Sequence, residues 1–191
     1  MLPINSPFIT LQTDHLTLRP LTMDDVEPIV TLAGERQVAE STLSIPNPYP
    51  RTTAVAFIAS ARRRMTERTG YVFAINRRGT ERLIGCVGLS VDTTHRHGEI
   101  GYWLGVPYWG NGFTTEAAER VLAFGFQQLR LHRIFAGCFT DNVASQRVLE
   151  KIGMVHEGTL RQHYYRWEQW KDRVCYGLLR EEYENNTAQS G

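Results

Sequence analysis

The chain has 191 residues, enough for one domain of ordinary size with a sizeable core. Hydrophobic residues make up 42 % and charged residues 21 %, which is typical of globular proteins and excludes the disordered, collagenous and membrane classes. Lys and Arg number 21 against 20 Asp and Glu, so the net charge of +1 gives no broad attraction to nucleic acid or to an anionic membrane. We therefore expect neither as a partner.

The three cysteines, Cys86, Cys138 and Cys175, are far apart and odd in number, which argues against a secreted disulfide framework. No apolar run approaches the roughly 20 residues that a membrane span needs, and the N-terminal segment lacks the basic and apolar zones of a signal peptide. A reducing, cytoplasmic location is the expectation.

The first half of the chain predicts a strand, a helix, a loop and a second helix. Apolar and polar residues alternate over His15–Leu21, and Thr22 then offers an N-cap to a helix that begins with two aspartates. The segment Ser44–Arg51 carries three prolines and must be irregular. Thr53–Arg68 then has apolar residues on one helical face.

The second half predicts strands in a meander that then alternate with helices. The helix Thr115–Leu129 has a single apolar stripe, and Gly153 would close the next helix as a C-cap. Such an order indicates a mixed α/β sheet with helices on both faces. The other predicted elements are the strands Tyr71–Asn76, Leu83–Val91, Glu99–Val106, Arg133–Phe139, Met154–Leu160 and Val174–Leu179, and the helix Ala144–Ile152. We expect a single domain over residues 1–184 and a polar, frayed tail over 185–191.

Two glycines, Gly110 and Gly112, stand directly before the predicted helix in WGNGFTTEA. A Walker A loop would need a Lys and then Ser or Thr after the second glycine, and a dinucleotide fingerprint would need a third small residue where Thr115 stands. Free amides of a glycine turn, at the positive end of a helix dipole, can instead bind the pyrophosphate of a coenzyme A carrier. On two glycines alone, a tight turn without a ligand is an equal alternative.

Two motifs carry a family resemblance. EIGYWLGVPYWGNGFTTEA, followed by TDNVASQRVLEKIGMVHEG, resembles the acetyl-coenzyme A signature of the Gcn5-related N-acetyltransferase (GNAT) superfamily, in its RimJ/RimL branch of ribosomal-protein N-terminal acetyltransferases. HLTLRPLTMDD, IPNPYP and EGTLRQHYY are also similar to that branch, so the resemblance covers nearly the whole chain. It implies the GNAT fold: a mixed, mostly antiparallel twisted sheet of about seven strands, about four helices and a splayed pair of parallel strands.

The resemblance also implies how acetyl-CoA is bound, without a metal. The superfamily pattern of Arg or Gln, two residues, Gly, one residue, and Gly or Ala falls on Trp109, Gly112 and Thr114, so two positions depart from it. Because backbone amides hold the phosphates, we expect binding to survive this departure. The implied cofactor residues are Leu104, whose backbone pairs with the pantetheine arm, Trp109, Gly110, Asn111, Gly112, Phe113, Thr114, Thr115 and Asn142.

The implied reaction is direct attack of a primary amine on the thioester, which needs a base, an oxyanion donor and a proton for the leaving thiolate. In the family a bulge splays the strand, and the backbone amide near Leu104 faces the thioester oxygen. Glu99 could take the amine proton directly or through a water, with His97 as a weaker alternative. The other interpretation is that Glu99 is an ordinary polar strand residue or only orients the substrate.

The tyrosine that serves as acid in many members of the superfamily is replaced here by Leu149. Ser145, in the first turn of its helix, is the expected general acid or hydrogen-bond donor to the thiolate, as in the RimJ/RimL branch. Alternatively it is a helix-opening serine satisfied by local backbone. Asn142 can be the N-cap and a cofactor contact at once.

Three further features have weaker implications. His95 and His97 lack a third metal ligand, so no metal is expected. The run Arg62–Arg64 is a solvated helix face or, less favoured, a site for an acidic substrate. By resemblance, the aromatic segment His163–Trp170, between the last two strands, borders the acceptor cleft together with the proline-rich loop Ser44–Arg51.

The acceptor stays open at this stage. The N-terminal α-amine of a protein such as a ribosomal protein is favoured. A small amine (a polyamine, an amino acid or an aminoglycoside) is the alternative within enzymes, and a catalytically inactive module that binds coenzyme A is the alternative outside them. Monomer and homodimer are both compatible with the sequence.

Overall fold

The computed structural model describes residues 8–189. Within them, eight strands form one mixed sheet in the order β1-β2-β3-β4-β5-β6-β8-β7. Neighbouring strands are antiparallel except for β5 and β6, which are parallel. The strands are β1 (Leu11–Gln12), β2 (Leu16–Pro20), β3 (Gly70–Arg77), β4 (Leu83–Asp92), β5 (His97–Leu104), β6 (Arg133–Phe139), β7 (Val155–Arg166) and β8 (Gln169–Leu179).

Six α-helices accompany the sheet in the described residues: α1 (Val26–Ala33), α2 (Arg36–Ser41), α3 (Arg51–Glu67), α4 (Phe113–Ala123), α5 (Val143–Lys151) and α6 (Arg180–Gln189). The predicted fold class is confirmed, with eight strands rather than about seven and six helices rather than about four. The extra elements β1, α2 and α6 are too short or too polar to show a hydrophobic period. Within this part of the chain, no helix combines the length and apolar character needed to cross a membrane.

Helices cover both faces of the sheet, and each face has its own core. Ala54, Ile58, Ala61 and Met65 line the buried stripe of α3, and the first three pack in the core shared with α1 and α2. On the other face, α4 buries Ala117, Ala118, Val121 and Leu122 against β3 to β6. Apolar stripes at helical spacing therefore fix which face each helix covers.

Helix α4 begins at Phe113, two residues before the predicted start, because Gly112 adopts a left-handed conformation (φ 81°) and serves as its N-cap. It ends in a π-helical turn, Phe124–Gln128. A Cβ on Gly125 would lie 2.6 Å from Ile134 Cδ1, so the glycine lets this turn pack closely on β6. The predicted apolar stripe of α4 is correct. The hydrophobic pattern did not predict the change from an α-helix to a π-helical turn at Phe124.

The last two strands are longer than predicted and form one hairpin. The aromatic segment His163–Trp170 is therefore the tip of this hairpin and not a separate connection. Trp167 (φ 53°) and Glu168 (φ 58°) make its two-residue turn with left-handed backbones. Because hairpin turns of this kind usually carry Asn or Gly, Trp167 and Glu168 do not predict a turn.

The expected tail boundary at residue 184 does not coincide with the end of an element. Helix α6 runs through Gln189, and the Leu179 N–H donates to Glu182 Oε2 at its start (2.8 Å). Residues 190–191 lie outside the described part of the chain.

Candidate active site

The two parallel strands separate to form a slot. Their ladder runs only from His97–Arg133 to Glu99–Phe135, although β5 continues to Leu104 and β6 to Phe139. The register of β5 against β4 is unbroken over the whole of β5, so the expected bulge does not appear in that ladder. The predicted splay is present, and it opens into a cleft of about 1560 Å³.

Backbone amides of β5 point into the slot. Gly105 N–H donates to Ile84 on β4 (2.9 Å), and backbone groups of successive residues in a strand alternate in direction. The N–H groups of Leu104 and Tyr102 therefore face away from β4, toward the slot. The Leu104 carbonyl already accepts a hydrogen bond from Trp109 Nε1 (2.6 Å). Leu104 thus has the orientation that an oxyanion donor needs, and its catalytic role stays a prediction.

The glycine turn has left-handed backbone at both glycines, with φ of 77° at Gly110 and 81° at Gly112. A Cβ at either position would meet nothing within 4 Å. The protein itself therefore requires glycine for the backbone conformation and not because of crowding. Asn111 Nδ2 donates to the carbonyls of Tyr108 (3.1 Å) and Trp109 (3.0 Å), so this side chain holds the turn from within.

The N-terminus of α4 is ready to bind an anion. The first helical hydrogen bond runs from Glu116 N–H to Gly112, and no side chain caps the helix. The amides of Phe113, Thr114 and Thr115 consequently have no partner inside the helix and lie at the positive end of its dipole. The open space above the two glycines leaves these amides accessible, and a pyrophosphate fits this arrangement.

Ser145 lines the cleft from the first turn of α5, across the slot from Tyr102 on β5. Asn142 Oδ1 accepts from Ser145 N–H (3.0 Å), which confirms Asn142 as the N-cap, and its Nδ2 donates to the carbonyl of Ser41 (3.0 Å). The cap uses the Ser145 amide, whereas the Ser145 hydroxyl contacts the Tyr102 side chain and not the local backbone that the alternative interpretation assumed. Leu149 is buried in the core at the margin of the cleft, and its hydrocarbon side chain has no proton to donate.

Tyr102 is a candidate functional residue that the sequence argument missed. Its hydroxyl lies 3.0 Å from Ser145 Oγ and 3.3 Å from the carbonyl of Ser145. Burial raises the pKa of Tyr102 well above its ordinary value, so the phenol stays protonated. The sequence could have predicted this position, because Tyr102 precedes Leu104 by two residues and so shares its face of the strand. Burial also raises the pKa of Cys138 nearby, which keeps it a neutral thiol.

Glu99 occupies the closed end of the slot, where the parallel ladder stops. Its Oε1 accepts from Arg173 Nη2 (2.6 Å), and its side chain is 48 % exposed, so it is an ion-paired carboxylate at the surface of the cleft. Glu99 and Tyr102 are three residues apart, roughly 10 Å along a strand. Because Tyr102 lies beside Ser145, the predicted donor to the thiolate, this separation favours transfer of the amine proton to Glu99 through a water molecule. His97 stacks on His95 instead, and residues 8–189 contain no cluster of three possible metal ligands.

Arg173, also missed from the sequence, reaches Glu99 by crossing the face of β6 over Gly137. A Cβ at Gly137 would lie 2.0 Å from Arg173 Nε, so Gly137→Ala must displace the guanidinium.

We expect Gly137→Ala and Arg173→Gln to lower kcat/KM by a similar factor, about threefold to tenfold, because both remove one charge-assisted hydrogen bond from Glu99. Steady-state kinetics with unfolding midpoints as the control test this. Wild-type kinetics in Gly137→Ala would show that the Arg173 contact is idle.

The proline-rich loop and the hairpin tip both line the cleft, and their contact with the acceptor stays a prediction. Arg166, beside the turn of the hairpin, donates to the carbonyls of Ala39 (3.1 Å) and Ile45, and its guanidinium stacks over the Trp167 ring at 4.8 Å. These bonds hold the two segments together across more than a hundred residues of sequence.

The carboxylates that line the cleft in the described residues are all ion-paired. Six cationic side chains of residues 8–189 line it as well, twice the number of these carboxylates. The pairs are Glu40 with Arg36 (2.6 Å), Glu99 with Arg173 (2.6 Å) and Asp141 with Lys171 (2.5 Å).

A sheet that opens between two parallel strands, with a glycine turn and an uncapped helix beside the opening, defines the class of acyl-coenzyme A-dependent acetyltransferases. Residues 15–155 match the family model described as the acetyltransferase (GNAT) domain, and the chain belongs to this family. It is thus an N-acetyltransferase that uses acetyl-CoA as co-substrate, and the RimJ/RimL-type resemblance is confirmed.

Relatives span most of the chain. The uncharacterized N-acetyltransferase YoaA of Bacillus subtilis (strain 168) is 38 % identical over 174 residues, covering 91 % of this chain and 98 % of YoaA. A solved structure of a GNAT-family acetyltransferase from Bacillus anthracis superposes with a TM-score of 0.80 at 25 % identity, covering 91 % of this chain and 99 % of that one. The ribosomal-protein-serine acetyltransferase of Escherichia coli (strain K12) is 27 % identical over 100 residues, which are 52 % of this chain and 56 % of that protein.

Proposed function

We propose that the acceptor is the N-terminal α-amine of a protein, such as a ribosomal protein. The observation that carries this proposal is the pairing of the cleft carboxylates Glu40, Glu99 and Asp141 with cations of the same chain. A polyamine has several ammonium groups, and binding them would require these carboxylates to give up their partners. A peptide brings one amine, and the E. coli relative named for a ribosomal-protein serine supports this class.

The roles of the residues follow from their positions. Acetyl-CoA supplies the thioester that the amine attacks. Glu99 accepts the amine proton through water, and the slot-facing amides of Leu104 and Tyr102 stabilise negative charge on the thioester oxygen. Ser145 donates its hydroxyl hydrogen bond to the leaving thiolate at the N-terminus of α5, and the Tyr102 hydroxyl supports it from behind.

The amides of Phe113, Thr114 and Thr115, with the turn over Trp109–Gly112, hold the pyrophosphate in this proposal. Gly112→Val is then expected to weaken acetyl-CoA binding about fivefold, because a β-branched residue resists the left-handed backbone by about 1 kcal/mol or more. Gly112→Asn is the matched control, since Asn tolerates that backbone. Calorimetric Kd values test the pair. Equal losses in both variants would show that the ligand excludes any Cβ and that backbone conformation is secondary.

An acceptor screen tests the function itself. Thiol release from acetyl-CoA is followed with a peptide that has a free ribosomal-protein N-terminus, with the same peptide blocked at its α-amine, with spermidine and with an aminoglycoside. We expect kcat/KM for the free peptide to exceed that for spermidine by at least about tenfold, the effect of one good charged contact, and the blocked peptide to be inert. Faster turnover of spermidine or the aminoglycoside would overturn the proposal. Binding of acetyl-CoA without any turnover would favour an inactive module.

A further inference from the structure

The basic run on α3 separates into three different environments. Arg62 Nη1 donates to the Leu21 carbonyl (2.9 Å). Arg63 is exposed to solvent, and its Nε lies 4.0 Å from Glu67 Oε1. Arg64 alone lines the cleft. The three adjacent arginines therefore do not form one solvated face. Arg64 lines the cleft but has no role in the proposed chemistry.

Arg64 has an uncompensated charge in the cleft. Its Nη1 donates to the Ser90 hydroxyl (3.3 Å), and its buried Nε has no hydrogen-bond partner within the described part of the chain. No carboxylate between residues 8 and 189 forms an ion pair with it, whereas the three cleft carboxylates each bind another cation. A guanidinium that faces a cleft with a neutral hydroxyl as its partner is suited to a carboxylate brought by the ligand.

The path from the slot to Arg64 is open. Ser90 pairs with Glu99 across β4 and β5, and Gly88 pairs with Gly101 one step nearer to the slot, on the same face. A Cβ on Gly101 would meet nothing within 4 Å, and Gly88, Gly101, Ser90 and Arg64 line the same cleft. Tyr102 pairs with Val87 on β4, and Ser90 lies three residues further along that strand. The distance from Tyr102 to Ser90 is therefore roughly 11 Å, which about three residues of an extended peptide span.

We propose that Arg64 binds an acidic side chain of the acceptor and that the enzyme prefers protein N-termini with Glu or Asp at one of positions two to four. This inference rests on the proposed function, because it assumes that the acceptor is a peptide. The same guanidinium would not favour a cationic acceptor, which agrees with the paired carboxylates elsewhere in the cleft.

Matched peptides that carry Glu or Gln at position two, three or four test the preference. In the wild type, kcat/KM is expected to be about tenfold higher for Glu than for Gln at one position, the effect of one charge-assisted hydrogen bond. Arg64→Gln should reduce this ratio to about one, and Arg64→Lys should keep part of it. Arg63→Gln is the matched control: it removes the same charge from the neighbouring residue and should leave the ratio unchanged.

Two outcomes would overturn the inference alone: equal rates for Glu and Gln peptides in the wild type, or equal loss of the ratio in Arg64→Gln and Arg63→Gln. If no peptide with a free N-terminus is acetylated while a free amino acid is, the proposed function fails and this inference fails with it. Unfolding midpoints of the variants separate a loss of folding from a loss of preference.

Discussion

Ser145→Ala is expected to lower kcat about 100-fold and to leave the Kd for acetyl-CoA unchanged, since a positioned acid contributes about that factor. The substitution removes the hydroxyl but keeps the Ser145 amide that bonds to Asn142, so the cap of α5 survives. The usual tyrosine is replaced by a buried leucine, and the Ser145 hydroxyl lines the cleft beside the Tyr102 hydroxyl. Single-turnover kinetics with saturating peptide measure the chemical step.

Tyr102→Phe is the companion variant. It should lower kcat about tenfold, because the phenol supports the serine rather than the thiolate itself. If the two hydroxyls act as one chain, the double variant is no slower than Ser145→Ala, which is strong non-additivity. Additive losses would show that Tyr102 and Ser145 act separately, and an unchanged kcat in Ser145→Ala would remove the serine from the mechanism.

Glu99→Gln is expected to lower kcat/KM about tenfold at pH 7, since an α-amine with a pKa near 8 is only about one-tenth neutral there. At pH 9.5 most of the amine is already neutral, so the variant and the wild type should then be nearly equal. The amide is isosteric and can still accept from Arg173, which keeps the geometry of the pair. A pH series of kcat/KM with one peptide makes this comparison.

Two results would argue against Glu99 as the base. One is a loss that persists undiminished at pH 9.5, which would indicate that Glu99 positions the acceptor instead. The other is a wild-type rate at pH 7. Arg173→Gln serves as the control for the ion pair, because it changes the partner but keeps the carboxylate.

Local patterns were sufficient to predict the central elements of the fold. The stripe of α4, the left-handed Gly153 that follows the C-cap of α5 and the alternation in β2 are properties of short segments, so they can be predicted from the sequence. The glycine turn was also predicted, and both of its glycines have a left-handed backbone with open space around them. Asn142 and Ser145 belong to a local cap for the same reason.

Contacts between distant segments could not be predicted in this way. Arg173 reaches Glu99 only because β8 lies beside β6 and Gly137 leaves room between them, and no spacing in the sequence encodes that. Tyr102 meets Ser145 across the slot for a similar reason. The position of Arg64 in the cleft, against Arg63 in solvent, depends on how α3 packs, which the charge pattern does not reveal.

The central claim is that the slot between β5 and β6 delivers acetyl to a free N-terminal amine. The most direct test is tandem mass spectrometry of one peptide that carries both a free α-amine and an internal lysine, after turnover with acetyl-CoA. We predict a single acetyl group on the first residue, and less of this product with Ser145→Ala. Acetylation of the lysine side chain, or an unmodified peptide alongside an acetylated small amine, would contradict it.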